Sequence, residues 1–353
     1  MMITAMIREL GLNIFDQPDA GIQLISAQHI ETIYFGGGTP SLLTGNEIKK
    51  LLDAVYDNFH VEANAEVTLE ANPDDINRAS LAQWKEAGIN RLSIGVQSFS
   101  DTELEWMNRA HNATQALQSI QLAKDEGFSN FSVDLIYGTP GLESGQWEKN
   151  IRDVINMEVP HLSCYALTVE PGTALNKMIA LKKKENIDMD LQSSQFLLMA
   201  NLLEDAGYEH YEISNFARPG ARSRHNSSYW QAKNYIGIGP SAHSFNGRIR
   251  RWNVSNNSLY VESIFKNIIP SESELLSYSQ QLNEYIMTSL RTMEGLDLNF
   301  IKSRFGREKS KQLNKLANKF IVSGKAKTEG SKIILTNDGK LFADGIAAEL
   351  FFD

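Results

Sequence analysis

Cysteine is nearly absent from the sequence, because Cys164 is the single cysteine among 353 residues. One thiol excludes an intramolecular disulfide, and it excludes a metal or iron–sulfur site made from this chain's own cysteines. So little cysteine suits a reducing compartment, and we expect a cytoplasmic protein. Cys164 stands in the apolar run LSCYAL, where we expect it to be a small buried hydrophobic residue.

Long apolar runs and an excess of basic charge are missing as well. No run approaches the ~20 apolar residues that a membrane helix needs, and the N-terminal MMITAMIREL lacks the layout of a signal peptide. Acidic residues outnumber basic ones, 43 against 34. This balance argues against nucleic-acid binding as the main task, so we expect no nucleic-acid partner. A content of 42% hydrophobic and 22% charged residues excludes the collagen-like, coiled-coil and disordered classes.

Short β-branched runs alternate with amphipathic helical patterns from residue 31 to about residue 215. The predicted strands cover 32–35, 66–69, 91–94, 131–136 and 162–167, and a capping box at Thr44 and Glu47 predicts the start of the first helix between them. Such alternation implies parallel strands joined by crossovers, so we predict an α/β fold with a partial (β/α)6 barrel over 1–215. Only the end of a helix and a loop precede the first strand, and we therefore expect this barrel to lack its first strand.

Polar residues or glycines stand at the ends of the predicted strands. In chain order these ends carry GGGT at 36–39, Glu70, Gln97, Asp134 and Tyr165. The active sites of β/α barrels form at the rim where the strands end. Each residue alone is more often structural, but together with Arg109 of NRAHN they supply donors, acceptors and both charge signs. The set predicts a site for a zwitterionic, sugar-bearing ligand.

The glycine run FGGGTP at 35–40 lets the backbone approach a ligand closely, because glycine has no Cβ. It lacks the Lys-Ser/Thr of a P-loop and the spacing of a dinucleotide fingerprint, so both of those sites are excluded. A ligand-binding loop and a tight strand-to-helix turn both remain open for it.

Two further motifs lie in the segment 216–269, which we predict to be loop-rich. RHNSSYW combines His225 and Asn226 with the aromatic Tyr229 and Trp230. An imidazole beside large aromatic faces suits a flat apolar ligand or the axial position of a metal, although a lone histidine is more often part of a packed loop. GIGPSAHS adds His243 on a glycine-rich turn, with the same two interpretations open.

The pattern changes again near residue 270. Residues 272–293 predict a helix, 303–322 a lysine-rich amphipathic helix, 326–327 with 332–335 a β-hairpin, and 338–350 a final helix. This order predicts a helical, winged-helix-like domain over 270–353. We interpret the lysines and arginines between 302 and 327 as a solvated helix surface, and nucleic-acid binding is the less favoured alternative.

Taken together, the motifs resemble the branch of the radical SAM superfamily that includes the oxygen-independent coproporphyrinogen III oxidases. FGGGTPSLL, EANP, RLSIGVQSF, NRAHN, DLIYGTPG, YALTVEPGT and HNSSYW…GIGPSAHS occur in that family's order over nearly the whole chain. The order makes the match specific where any one motif is weak. Within this branch, the HNxxYW segment and the compact layout most resemble the heme chaperones.

The resemblance implies cofactors and the residues that contact them. For S-adenosylmethionine it implies Gly37, Gly38, Thr39, Glu70, Gln97, Arg109, Asp134, Ala166 and His243, the last two on looser spacing. For heme it implies His225, Asn226, Tyr229 and Trp230. The family also binds a [4Fe–4S] cluster through a CxxxCxxC loop that this sequence does not contain, so we expect the cluster in a full-length form only. We interpret the chain as a shortened one, with a natural relative without the cluster as the alternative.

The function that the resemblance implies is that of a heme chaperone, which binds heme and transfers it to an acceptor protein. Transient contact with a membrane protein is compatible with that role, and no residue is predicted to be catalytic. Two alternatives remain open. One is an oxygen-independent coproporphyrinogen III oxidase of porphyrin biosynthesis, and the other is a module that binds nucleic acid through its C-terminal domain.

Overall fold

The computed structural model describes residues 1–12 and 29–353, and its centre is a curled sheet of seven strands. Five parallel strands come first: β1 (His29–Phe35), β2 (His60–Ala71), β3 (Arg91–Gln97), β4 (Phe131–Tyr137) and β5 (His161–Ala166). The hairpin of β6 (Glu209–Glu212) and β7 (Asn215–Ala217) continues the sheet, with β7 antiparallel to β5. The order β1-β2-β3-β4-β5-β7-β6 confirms the partial β/α barrel, and β1 forms one edge of the sheet within the described residues.

Helices lie between the parallel strands, as the alternation predicts, and further helices precede β1 and follow β5. They are α1 (Met2–Gly11), α2 (Gly45–Asn58), α3 (Arg78–Ala87), α4 (Asp101–Trp106), α5 (Ala113–Asp125), α6 (Ser144–Asn156), α7 (Ala174–Ala180) and α8 (Met189–Asp205). The capping box at the start of α2 is confirmed, because the Thr44 hydroxyl accepts from the Glu47 N–H while the Glu47 carboxylate accepts from the Thr44 N–H. These bonds satisfy two backbone donors that have no partner inside the helix.

The two faces of the barrel sheet differ in polarity. One face packs on the helices with buried residues such as Val67, Leu92 and Val133, and Cys164 belongs to this core, as expected. The alternate positions of the same strands are polar: Thr32, Glu66, Thr68, Glu70, Arg91, Ser93, Ser132, Asp134, His161 and Ser163. Barrel interiors are usually filled by branched aliphatic side chains. A polar interior is therefore the first structural indication of a ligand site here.

The segment that follows the barrel has more regular structure than its loop-like composition indicates. It contains α9 (Arg224–Trp230), β8 (His243–Phe245), β9 (Ile249–Asn253) and α10 (Asn257–Phe265). A strand beyond it, β10 (Ser271–Leu275), pairs with β9. The prediction of a helix from 272 is therefore wrong at its start. Serine and glutamate alternate there, and Glu274 makes a cross-strand ion pair of 3.0 Å with Arg250.

The C-terminal part has the winged-helix-like order that the sequence predicts. Its elements are α11 (Tyr278–Leu290), β11 (Leu296–Asp297), α12 (Leu298–Phe305), α13 (Arg307–Val322), β12 (Ala326–Glu329), β13 (Lys332–Leu335), α14 (Asn337–Lys340) and α15 (Ala343–Glu349). Gly306, at φ 96°, divides the predicted helix 303–322 into α12 and α13, and residues 341–342 divide the final one. These elements enclose a hydrophobic core of their own. In the part of the chain that the structure describes, no helix is both long and apolar enough to cross a bilayer.

Helix α1 is anchored by a buried carboxylate that reaches the GIGPSAHS motif. Glu9 accepts from the Gly239 N–H at 2.8 Å, the Asn253 side-chain amide at 2.6 Å and the Tyr260 hydroxyl at 2.5 Å. Burial raises the pKa of Glu9, against the effect of these donors. The glycine motif is thus fixed to α1 through its backbone N–H, which gives Gly239 a structural role.

Replacing Glu9 with alanine tests this anchor. The Glu9→Ala variant leaves three buried donors without their acceptor, and each unsatisfied buried group costs ~1–3 kcal/mol. We expect urea unfolding to show a loss of about 3 kcal/mol or more. Glu86→Ala, an exposed position in α3, serves as the control and should unfold like the parent. Equal stability of both variants would contradict the anchoring role.

Candidate functional site

A cavity of about 740 Å³ lies beside β1, between helix α1 and the segment that carries RHNSSYW and GIGPSAHS. Its size falls within the range of small-molecule sites. It brings together residues from both predicted ligand sets, namely Gly37, Thr39, Glu70, His225, Tyr229 and His243. The other predicted residues, Gly38, Gln97, Arg109, Asp134, Ala166, Asn226 and Trp230, are not part of its lining. The cavity is therefore lined by some of the residues predicted for S-adenosylmethionine and by some of those predicted for heme.

The glycine loop after β1 takes a conformation that suits glycine. Gly37 and Gly38 have φ of 77° and 63°, and a Cβ at either position would meet no atom within 4 Å. The loop is thus open on the side where a side chain would stand, and a ligand can approach its backbone. Thr39 follows at the start of the short 3₁₀ turn Pro40–Leu42.

Glu70, near the end of β2, holds this loop in place. Its carboxylate accepts from the Gly37 N–H at 3.1 Å and from the Tyr34 hydroxyl at 2.8 Å. Burial raises the pKa of the Tyr34 phenol, and the negative charge of Glu70 raises it further, so Tyr34 stays protonated and donates. A carboxylate with this geometry can also accept bonds from an ammonium group or from ribose hydroxyls.

Asp134 lies deeper in the polar interior. The Ser93 hydroxyl donates to it at 3.2 Å, and burial raises the pKa of Asp134 to about 6. Bonds from Ser163 and Ser93 oppose this rise, and the charge of Glu70 adds to it. Asp134 can therefore change its protonation state close to neutral pH.

Gln97 and Arg109 meet over the backbone of β3. A Cβ at Gly95 would lie 3.0 Å from the Gln97 amide nitrogen and 3.5 Å from the Arg109 guanidinium. Arg109 donates to the Asn72 side-chain oxygen at 2.9 Å, and Gln97 has the unusual φ of 67°. Burial lowers the pKa of Arg109, but a guanidinium keeps its charge in proteins. Ala166, at the end of β5, stands in register with Tyr137.

His225 is held between the barrel and its own helix. Its Nδ1 lies 2.9 Å from the Thr32 hydroxyl, and its ring stacks on Tyr34 with centroids 4.6 Å apart and planes at 19°. Tyr229 meets the ring edge-on at 5.1 Å. Burial lowers the pKa of His225 to about 4, so the imidazole is neutral at pH 7. The contacts with Thr32 and Tyr34 fix the orientation of the ring, and therefore also the direction in which its other nitrogen, Nε2, points.

The remaining predicted residues have more ordinary surroundings. Asn226 donates its backbone N–H to the Ser223 hydroxyl at 3.2 Å. Trp230 has a buried indole N–H with no hydrogen-bond partner among the described residues, and the Arg291 guanidinium lies 5.2 Å from its ring centre. His243 packs near Trp252 with ring centroids 6.3 Å apart. Their side chains give no independent sign of a ligand role beyond the unpaired indole.

Sequence reasoning missed Tyr34 and Thr32, which join the two predicted sets. Tyr34 bonds Glu70 and stacks on His225, while Thr32 contacts the imidazole directly. The signal was present in the period-two alternation of TIYF, which puts both residues on the face of β1 opposite to Ile33 and Phe35.

Comparisons with known proteins show the family and the fold of this chain. Residues 8–154 match the Radical SAM superfamily. The chain is 34% identical to the heme chaperone HemW of Mycobacterium tuberculosis over 92% of its own length and 82% of that protein's. It is 31% identical to HemW of Bacillus subtilis, over 90% and 84% of the two chains. The structure of the Escherichia coli coproporphyrinogen III oxidase HemN matches with a TM-score of 0.81 at 21% identity, covering 99% of this chain and 82% of that one, and shows the same fold.

Membership of the Radical SAM superfamily implies S-adenosylmethionine and a [4Fe–4S] cluster, and this chain's residues fit them unequally. The open glycine loop and the carboxylates of Glu70 and Asp134 fit a ligand that carries ammonium and hydroxyl groups. The cluster does not fit, because the one cysteine is buried in the apolar core and burial raises its pKa. Among the described residues, no group of three or more His, Cys, Asp or Glu could hold a metal ion.

The neutral state of His225 can be tested by titration. With a folded pKa of about 4 against 6.5 when unfolded, the unfolded chain takes up a proton first as the pH falls. His225 therefore lowers stability progressively between pH 6.5 and 4 and has no such effect above this window. We expect ¹H–¹⁵N NMR of the imidazoles, assigned with His225→Gln, to show this ring neutral at pH 6. A midpoint near 6.5 would refute the buried, neutral state.

Proposed function

Because the chain belongs to the HemW family of heme chaperones within the Radical SAM superfamily, we propose that it binds heme in the cavity beside β1 and transfers it to an acceptor protein. The names of the relatives support the class of function. The proposal for this chain rests on its own residues, and above all on His225.

The observation that carries the proposal is the position of the His225 ring at the cavity wall, where it contacts Thr32 and stacks on Tyr34. A neutral imidazole can offer a nitrogen lone pair to a heme iron, whereas a protonated one cannot. In the tautomer in which Nδ1–H donates to the Thr32 hydroxyl, Nε2 carries the lone pair that an iron would take. Aromatic rings of Tyr34 and Tyr229 flank the imidazole, and such faces suit a flat macrocycle.

The same arrangement suits a carrier that has to release its cargo. One imidazole nitrogen and apolar contacts hold heme reversibly, and the chain's single cysteine is buried in the core, away from the cavity lining. An acceptor with a stronger ligand set can then remove the heme. A cytoplasmic setting and transient contact with a membrane protein are part of this proposal.

The second part of the proposal concerns S-adenosylmethionine. Gly37, Gly38 and Thr39 would hold its amino-acid end, with Glu70 accepting from the ammonium group. Gln97, Arg109, Asp134, Ala166 and His243 would contact the rest of the molecule. In a radical SAM protein the bound group supplies radical chemistry when a cluster is present. We assign no catalytic residue to this chain. The residues named here would bind S-adenosylmethionine and orient it.

Heme titration tests the first part of the proposal. We expect hemin to bind saturably, with a shift of the Soret band, and His225→Ala to weaken binding by about tenfold or more, a loss of at least ~1.4 kcal/mol. His60→Ala is the control histidine variant, because His60 is exposed at the start of β2 and does not itself line the cavity, although its ring packs on His29, which does. It should bind like the parent.

Transfer is measured separately by mixing the heme-loaded protein with apomyoglobin and following the acceptor's absorbance. We expect complete transfer from the parent. Absence of saturable binding, or equal losses in His225→Ala and His60→Ala, would contradict a heme site at His225. Binding without transfer would contradict the chaperone role alone.

A further inference from the structure

A buried ion pair lies on the polar inner face of the barrel sheet. Glu66 of β2 and Arg91 of β3 are both buried, and the Arg91 Nε lies 3.9 Å from the Glu66 carboxylate. Arg91 also donates to the Asn130 side chain at 2.9 Å. Burying two charges is costly unless each is paired and hydrogen-bonded, so a pair in this place calls for a reason beyond packing.

The partners of Glu66 give that reason. Its carboxylate accepts from the His225 N–H at 3.0 Å and the Arg224 N–H at 3.2 Å, with the Ser223 hydroxyl at 3.5 Å. The start of α9 is therefore bonded to a side chain that belongs to the barrel strand. The bonds span 157 to 159 residues of sequence, so they are a tertiary attachment and not a local cap.

The register of the sheet puts two residues that bond to His225 side by side. Glu66 of β2 pairs with Thr32 of β1, so the two side chains stand next to each other on neighbouring strands. Glu66 holds the backbone N–H of His225, and Thr32 holds its ring at Nδ1. Two adjacent barrel residues thus fix both ends of one histidine, which leaves its Nε2 little freedom of direction.

We propose that Glu66, supported by Arg91, is a positioning residue that aims His225 into the heme cavity. This inference rests on the proposed heme function. Glu66 does not line the cavity itself and acts through α9. The two charges have opposite effects on the imidazole: burial lowers the pKa of His225 most, Glu66 opposes this lowering, and Arg91 adds to it.

The test is the Glu66→Gln variant. Glutamine keeps the shape of the side chain but offers one acceptor oxygen where the carboxylate offers two, and its amide group faces an N–H donor. In the heme-free protein we expect faster hydrogen exchange of the Arg224 and His225 amides and altered ¹⁵N shifts of the His225 ring at pH 7. In the heme-bound protein we expect an altered ligation signature in the Soret band and the electron paramagnetic resonance spectrum, with affinity about tenfold lower.

The matched control is Glu103→Gln. Glu103 is also a buried carboxylate, bonded by the Ser98 hydroxyl, but it has no hydrogen bond to α9. A comparable loss of stability with parent-like heme spectra is expected there. If Glu66→Gln fails to fold because Arg91 loses its counter-charge, the charge-balanced double variant Glu66→Gln/Arg91→Met takes its place in every measurement.

The outcomes separate the two proposals. Heme spectra and affinity in Glu66→Gln that equal those of Glu103→Gln would overturn the positioning role and leave heme binding intact. If the parent itself binds no heme, the proposed function fails, and the heme-free measurements decide the positioning role. Parent-like exchange of the Arg224 and His225 amides, together with parent-like ring shifts, would then overturn it.

Discussion

The polar interior of the barrel is the constraint on which the rest of the structure depends. Buried polar groups are tolerated only when they are paired, because desolvation without a partner costs more than most packing contacts contribute. Strands β1 to β5 present hydroxyl, carboxyl, guanidinium and imidazole groups to one face. Several of these groups are paired across or along the strands, as Tyr34 with Glu70 and Ser93 with Asp134, whereas Glu66 takes its hydrogen bonds from α9.

The cavity follows from this requirement. The Tyr34 hydroxyl donates a hydrogen bond to one Glu70 oxygen, and the Gly37 N–H donates to the other. The Glu66 carboxylate accepts hydrogen bonds from the start of α9. In this position of α9, the His225 imidazole stacks on the Tyr34 ring. Bonds that satisfy the barrel interior thus also shape the wall at which the glycine loop and the histidine meet.

The polar residues at the strand ends could be predicted from the sequence, because each depends only on the strand in which it lies or which it follows. Glu70, Gln97 and Asp134 follow or lie within recognisable strands, and the ends of parallel strands share one rim. The position of His225 could not be predicted from spacing, since it depends on bonds to Glu66, 159 residues away. The resemblance to a family led to the proposal that His225 contacts heme, and the neighbours of this residue are known only from the structure.

Two errors in the predicted elements have a physical cause. The strand β10 contains two glutamates, which are good helix formers, and its pairing with β9 outweighed that preference. The lysine-rich helix was predicted as one element because its apolar stripe continues across Gly306, where a left-handed backbone divides it. In both cases tertiary pairing or a single backbone angle overrode a pattern that was correct in itself.

Arg291 links the C-terminal domain to helix α9, which carries His225. Its guanidinium lies over Trp230 and pairs with Glu212 at 3.2 Å and with Asp344 at 3.1 Å. One cation therefore ties together the last aromatic residue of α9, the β6–β7 hairpin and the final helix. A displacement of the final helix would either break the contact with buried Glu212 or move the indole with it. Movements of the C-terminal helices are therefore coupled to α9 through this one side chain.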